Sequence, residues 1–228
     1  MAAPAVDHVP AQRIAPLYSF SEADRLAGVT RGTSRRWLSG YVYRKPDGVL
    51  RLSPAITRAR QPAESVSFLD LLEVVGISAL KARGFTLGEI RRVVTNCQAM
   101  FNDPWPLSNH QFKVGGRDIF VAQNGRLHDV LHHRGAMAWD QILGPFLETL
   151  DYEGIQATRW WPLGREFPVV IDPDYGFGLP VIRRSGVRTE VIRERMEAGD
   201  SIDQIASDFN LPSADVESAL RFELRQAA

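Results

Sequence analysis

Arg31, Thr33, Arg35 and Arg36 fall within six positions, with Ser34 among them and Thr30 just before. Guanidinium groups form paired hydrogen bonds with guanine edges or phosphate oxygens, and hydroxyl groups can donate to phosphate. On a helix with an apolar inner face, such donors make a DNA-reading surface. Val29 and Trp37 can supply that inner face. Tyr43, Arg44 and Lys45 follow at short range and could reach the DNA backbone or the minor groove. The alternative role for the same residues is a solvated basic face on a small helical subdomain.

Other residues offer less. His128 and His132 stand at i and i+4, a metal-ligand spacing on a helix, with His133 beside them. Nothing nearby completes a Glu-bearing metal motif, so a surface or packing role is the better reading and no metal is expected. Asp172-Pro173-Asp174 clusters two carboxylates, which turn chemistry explains better than Mg²⁺. Trp160-Trp161 could line a pocket, and a core strand or a dimer interface explains them equally well. A Gly-rich phosphate loop, a nucleophile motif and an acid–base pair are all missing. The chain therefore reads as a non-enzyme without a cofactor. Cys97 is the single cysteine, which rules out an intrachain disulfide, and its place on an apolar helical stripe marks it as a core thiol.

The elements that must position the arginines can be read locally. Ser19 with Glu22 makes a capping box, and Phe20, Ala23 and Ala27 share a face. Gly28-Val29 breaks this helix, and Thr30 is expected to cap the next, running through Trp37 to Gly40. Two short helices across a Gly-containing turn match a helix-turn-helix. Val42 to Arg44 and Val49 to Leu52 flank Lys45-Pro46-Asp47-Gly48, a β-hairpin placed like a wing. Phe68, Leu71, Leu72 and Val75 mark an amphipathic helix. Thr86 and Glu89 cap another, which carries Ile90, Val93, Val94 and Cys97.

Asn102 to Pro106 breaks the pattern. Beyond it come an expected hairpin over 112–121, a helix over 137–150, and strands over 155–161 and 167–171. Asp172 to Gly178 is a turn-rich link. Three short helices follow: 188–198, one capped by Ser201 and Gln204, and one starting at Pro212-Ser213.

The chain of 228 residues has 27 basic and 27 acidic side chains, so its net charge of zero argues against a general nucleic-acid coat or a polybasic membrane binder. The balance hides a gradient. Between Leu17 and Pro62 nine basic residues face three acidic ones, whereas after Val187 nine acidic residues face five basic ones. A basic front and an acidic back point to different partners. Asp215, Glu217 and Glu223 on the last helix would repel phosphate, so the front is the DNA side and the back is suited to protein. No signal-peptide pattern and no run near the ~20 apolar residues of a membrane span appear. A soluble cytoplasmic chain without membrane contact is the expectation.

Two resemblances sharpen this. Tyr18-Ser19-Phe20-Ser21-Glu22-Ala23, Leu26-Ala27-Gly28-Val29-Thr30, then Thr33, Arg35 and Trp37 resemble the MerR-type winged helix. Ala82-Arg83-Gly84-Phe85-Thr86-Leu87-Gly88-Glu89-Ile90 is similar to a later helix start of that fold. The likeness spans about Leu17 to Asn96. It departs at Ser34 and Arg36, and it lacks the long coiled coil and the metal-binding cysteines. From about Asp172 to Phe222 the chain resembles a short helix-turn-helix family of unknown function found beside PIN-domain ribonuclease toxins. Pro180-Val181-Ile182, Gly186 to Ile192, Ala198 to Ala206 and Val216 to Leu220 carry that likeness. Together the two units resemble VapB-type antitoxins.

The expected architecture is α+β and mainly helical. It has a flexible tail over 1–16, a MerR-like winged-helix domain over 17–101, a mixed α/β domain over 102–171 and a three-helix unit over 172–228. The resemblance implies an antitoxin that binds operator DNA as an autorepressor and masks a PIN-type toxin. The expected DNA contacts are Thr30, Arg31, Thr33, Ser34, Arg35, Arg36, Tyr43, Arg44 and Lys45. Arg183, Arg184 and Arg188 could pair with an acidic Mg²⁺ site on the toxin. Operator symmetry implies a homodimer. The alternatives are a MerR-like transcriptional regulator answering a small molecule, and an adaptor whose two helical units both bind protein.

Overall fold

The computed structural model of the chain describes residues 9–44, 46, 48, 50–53, 56, 65–109 and 143–227. The hairpin expected over 112–121, His128, His132 and His133, the first part of the helix expected over 137–150, and Lys45 lie outside the described residues. Among the described residues are nine α-helices and three two-stranded sheets, an α+β architecture. The chain divides into two compact units. Residues up to Leu147 and Gly154–Gln156 form the first; Glu148–Glu153 and the residues from Ala157 form the second, so that strand β4 (Gln156–Trp160) belongs to the second in all but its first residue.

The first unit contains α1 (Ala11–Ile14), α2 (Phe20–Leu26), α3 (Thr33–Ser39), β1 (Tyr41–Arg44), β2 (Leu50–Ser53), α4 (Phe68–Ala82), α5 (Leu87–Phe101) and α6 (Gly144–Leu147). Helix α4 is its axis, packed by α1, α3, α5, α6 and a 3₁₀ turn over Pro106–Ser108. Its predicted apolar stripe was one-sided. In the structure Leu69, Val74 and Glu73 are also buried, while Val75 is only half covered. The difference arises because neighbours surround the helix, which no periodicity within α4 can report. Glu73 sits inside without solvent and accepts from the backbone N–H of Ser108 at 3.0 Å, as a buried polar group must.

Gly76 of α4 makes the close approach of the 3₁₀ turn possible. A Cβ there would lie 3.1 Å from Leu107 Cβ and 3.4 Å from Phe146 Cε1. Gly76→Val is expected to destabilise the chain by about 2 kcal/mol through overpacking, measured by urea denaturation. Gly76→Ala should come closer to neutral, since the helix gains up to ~1 kcal/mol of propensity against the milder crowding.

Cys97 is buried on α5, as its spacing predicts. Burial, and then the negative charge of Glu73, push its thiol up to about 12. At pH 8 the reactive thiolate should be on the order of one molecule in ten thousand. Alkylation of the native chain by iodoacetamide at pH 8 is therefore expected to follow global unfolding. Rapid labelling under native conditions would contradict the burial.

The second unit contains β3 (Leu150–Glu153), β4 (Gln156–Trp160), β5 (Val169–Val170), β6 (Val181–Ile182), α7 (Thr189–Glu197), α8 (Ile202–Asp208) and α9 (Ser213–Ala227). The helix expected to run to Leu150 ends at Leu147 instead, and Leu150 opens β3. Strand pairing wins there: β3 pairs with β4, and Trp161 N–H donates to the Thr149 carbonyl at 2.9 Å. Strands β5 and β6 are antiparallel, with Val169 opposite Ile182. Ile182, Ile192, Ile205, Ala206, Leu211, Val216 and Ala219 form the core shared by β6 and the three helices. The capping box of Ser201 and Gln204 starts α8 as read from the sequence.

Candidate nucleic-acid interface

Helix α2 starts at the predicted capping box. Glu22 N–H donates to Ser19 Oγ at 3.2 Å, and Ser19 N–H donates to Glu22 Oε2 at 2.8 Å. It stops at Ala27, and Gly28 takes φ +62° to turn the chain. The next helix does not begin as expected. Thr30 is not its cap: its hydroxyl pairs with the Thr33 hydroxyl at 2.9 Å, and Gly32, at φ +81°, holds the cap position.

A glycine has no side chain to cap with, and the missing acceptor comes from α2. The buried Asp24 carboxylate accepts from Gly32 N–H at 2.5 Å, from Ser34 N–H at 2.7 Å and from Ser34 Oγ at 2.6 Å. Those N–H groups are the unpaired donors that every helix start presents. A carboxylate there also meets the positive end of the helix dipole. Asp24 thus fixes the angle between α2 and α3 through one side chain. Sequence reasoning missed this cap. Its only signal was an acidic residue inside a mainly basic segment.

This arrangement sorts the expected DNA contacts. Arg31, Arg35 and Arg36 are exposed, as is Thr30, while Thr33 and Ser34 are buried. The Arg35 guanidinium lies over the Phe20 ring, 5.0 Å from its centre. Arg36 Nη2 donates to Thr33 Oγ1 at 3.0 Å. Thr33 and Ser34 therefore hold the helix and its arginines in place, and their hydroxyls are spent inside the protein. Trp37 and Leu38 face inward, as Trp37 was expected to.

The hairpin follows directly. Tyr41 stands opposite Ser53 and Arg44 opposite Leu50. Both faces of β1 are exposed, and Arg44 Nη1 donates to the Gly48 carbonyl at 3.2 Å across the turn. Tyr41 and Tyr43 lie 5.9 Å apart, ring centre to ring centre. Beside α3, the residues Thr33, Arg36, Trp37, Tyr41, Ser78 and Lys81 line most of an open cleft of about 610 Å³.

In the second unit the other arginines occupy one short stretch. The Arg183 guanidinium lies 5.5 Å from the Tyr175 ring centre, Arg184 pairs with Asp215 at 2.9 Å, and Arg188 precedes α7. All three are exposed. The acidic face expected on α9 is smaller than the sequence indicated. Asp215 is buried against Arg184, and Glu223 is buried and accepts from Thr189 Oγ1 at 2.5 Å. Of the three acids read there, Glu217 alone is exposed. Tertiary partners had claimed the other two.

Residues 16–94 match a family model described as "Putative DNA-binding HTH domain", which spans α2, α3, the hairpin and α4 and enters α5. Residues 169–222 match a model described as "Protein of unknown function (DUF433)". Two Mycobacterium tuberculosis proteins are similar over nearly the whole chain. One, named "Putative antitoxin VapB45", is 23% identical and covers 90% of this chain and 92% of its own length. The other, "Uncharacterized protein Rv2308", is 24% identical, with 90% and 89% covered. The X-ray crystal structure of Rv2018 from the same organism superposes with a TM-score of 0.70 at 22% identity, covering 90% of this chain and 97% of that one. That likeness shows a shared fold. Among the described residues, no helix is long and apolar enough to cross a membrane.

Proposed function

We propose that this chain is the antitoxin of a type II toxin–antitoxin module. It binds operator DNA through α3 and represses its own operon, and it neutralises a PIN-domain ribonuclease. The observation that carries the DNA half is the Asp24 clamp, which holds α3 with Arg35 and Arg36 on its outer side and the exposed Arg31 in the turn before it. Thr30 and the hairpin residues Tyr43 and Arg44 flank that surface as backbone contacts, and Lys45 is a further contact of the proposal. The match to a DNA-binding helix-turn-helix model over the same residues supports it. The toxin half is supported by the name of the relative that aligns with 90% of the chain. Both roles are those of a non-enzymatic regulator.

A single short helix-turn-helix covers little DNA, and palindromic half-sites pair with a two-fold protein. A homodimer is therefore part of the proposal. Arg183, Arg184 and Arg188 are its contacts to the acidic metal site of the ribonuclease.

The test uses the full chain with the DNA upstream of its own gene and the purified product of the neighbouring gene. A salt-sensitive mobility shift, a dimer by light scattering, and a stable complex with a neighbouring ribonuclease are expected. No preference for upstream over random DNA would reject the repressor role, and no ribonuclease complex would reject the antitoxin role. Alanine at Arg183, Arg184 and Arg188 together should relieve ribonuclease inhibition; unchanged inhibition would remove those three as contacts.

The cleft beside α3 favours a second reading, a MerR-like regulator answering a small molecule, because Arg36 and Trp37 of α3 line it. Release of the chain from DNA by a small molecule, without any ribonuclease partner, would select that reading.

A further inference from the structure

Phe177 is placed where neither local geometry nor the hydrophobic effect favours it. It adopts φ +56° and ψ +33°, the left-handed region, and its side chain is 82% exposed. Bulky L-residues are strained in that region, and glycine or asparagine occupies it at lower cost. A large apolar ring in water gains nothing from burial. Two unfavourable features at one residue are a sign of use outside the fold.

The loop around Phe177 is built to hold it. Asp172 is buried, and its carboxylate accepts from Asp174 N–H at 2.9 Å and from Arg159 Nε at 2.8 Å. The Asp172 carbonyl accepts from Tyr175 N–H at 3.0 Å and Gly178 N–H at 3.1 Å. Two glycines, one beside Phe177 and one in the facing segment, are tightly constrained. A Cβ on Gly176 would lie 2.8 Å from Val181 Cγ1, and one on Gly186 would lie 2.8 Å from the Tyr175 hydroxyl. The 172–178 loop is thus seated on the 181–186 segment. Aromatic rings on pre-organised backbone, bordered by arginines, are the usual composition of interface anchors.

We infer that Phe177 is the anchor by which the second unit engages the toxin, inserting its ring into an apolar pocket bordered by carboxylates. The border follows from charge. Arg183 is stacked on Tyr175 of the same loop, and Arg184 and Arg188 stand exposed in the adjoining segment, while Asp174 is the loop's exposed acid. This rests on the antitoxin reading, which supplies the partner. It adds the residue that carries the contact and the chemistry of the pocket that receives it.

The test is calorimetric titration of the full chain with a catalytically silent form of the neighbouring ribonuclease. Phe177→Gly is expected to raise Tm by a few degrees, because strain is relieved, and to weaken binding at least ~30-fold. Phe177→Ala should weaken binding equally without the gain in Tm, and Phe177→Trp should bind within ~3-fold of the unaltered chain. Mobility shifts on upstream DNA should be unchanged in all three. Equal ribonuclease affinity for Phe177→Gly and the unaltered chain would overturn the anchor and leave the antitoxin reading standing. Failure of the unaltered chain to bind would overturn both. A fall from dimer to monomer on light scattering in the Phe177 variants alone would assign the ring to a second copy of the chain and overturn the toxin contact.

Discussion

Asp24→Ala is expected to destabilise the first unit by about 3 kcal/mol and to abolish specific DNA binding. The carboxylate satisfies three donors: the N–H groups of Gly32 and Ser34, and the Ser34 hydroxyl. Hydrogen bonds to a charged group contribute about 1.5–3 kcal/mol each, and a buried donor left unpaired costs about 1–3 kcal/mol. Gly32 is only half buried and water can recover part of its loss; Ser34 is fully buried and cannot be reached. The sum therefore falls well below three full bonds but above one. Ser34→Ala removes only the hydroxyl and should cost about 1 kcal/mol. Asp24→Asn keeps one acceptor and turns an amide N–H₂ toward other donors, so it should fall between the two. Chemical denaturation gives the stabilities. Amide exchange at Gly32 and Ser34 localises the effect: unaltered protection in Asp24→Ala would show that the carboxylate is not the cap.

The same residue shows where sequence reasoning stopped. Ser19 with Glu22, Thr86 with Glu89 and Ser201 with Gln204 are capping pairs three residues apart, and each was legible because the chemistry is local. Asp24 reaches ten residues to Ser34, and Glu73 reaches thirty-five to Ser108. Such pairs need the fold before they can be seen. The missed cap then misplaced the start of α3, and with it the facing of Thr33 and Ser34. Hydroxyl-bearing residues in a basic segment look like phosphate donors whether they point out or in.

Charge behaved similarly on α9. Asp215 and Glu223 read as an acidic surface, yet each is buried against a partner from another element. The exposed arginines of α3 were more legible. A guanidinium is seldom buried unpaired, so residue type alone places most arginines at the surface. Helix positions came through well for the second unit, where caps and the Gly199 stop are strong. The helix expected to reach Leu150 failed, because pairing between β3 and β4 is decided by residues farther along the chain.

Replacing Arg31, Arg35 and Arg36 together by alanine is expected to weaken operator binding by roughly three orders of magnitude, at a cost of about 1–3 kcal/mol for each guanidinium removed. Effects on folding should be small by comparison, since all three side chains are exposed; Arg35 gives up its place over the Phe20 ring and Arg36 its hydrogen bond to Thr33. Single variants separate the two ways an arginine can act. One that contacts phosphate should lose affinity for operator and random DNA alike, and the slope of log K against log salt should fall by about 0.9. One that reads a base edge should lose operator affinity by ~10–100-fold while random DNA is little affected. Arg36, held by Thr33 Oγ1, offers a further control. Thr33→Val frees the guanidinium without removing its charge, so operator affinity should drop while the salt slope stays. A triple variant that binds operator with unaltered affinity and slope would exclude the outer face of α3 and the turn before it as the interface. The exposed hairpin of Tyr43 and Arg44 would then be the surface left to meet DNA, and Arg44→Ala would carry the loss instead.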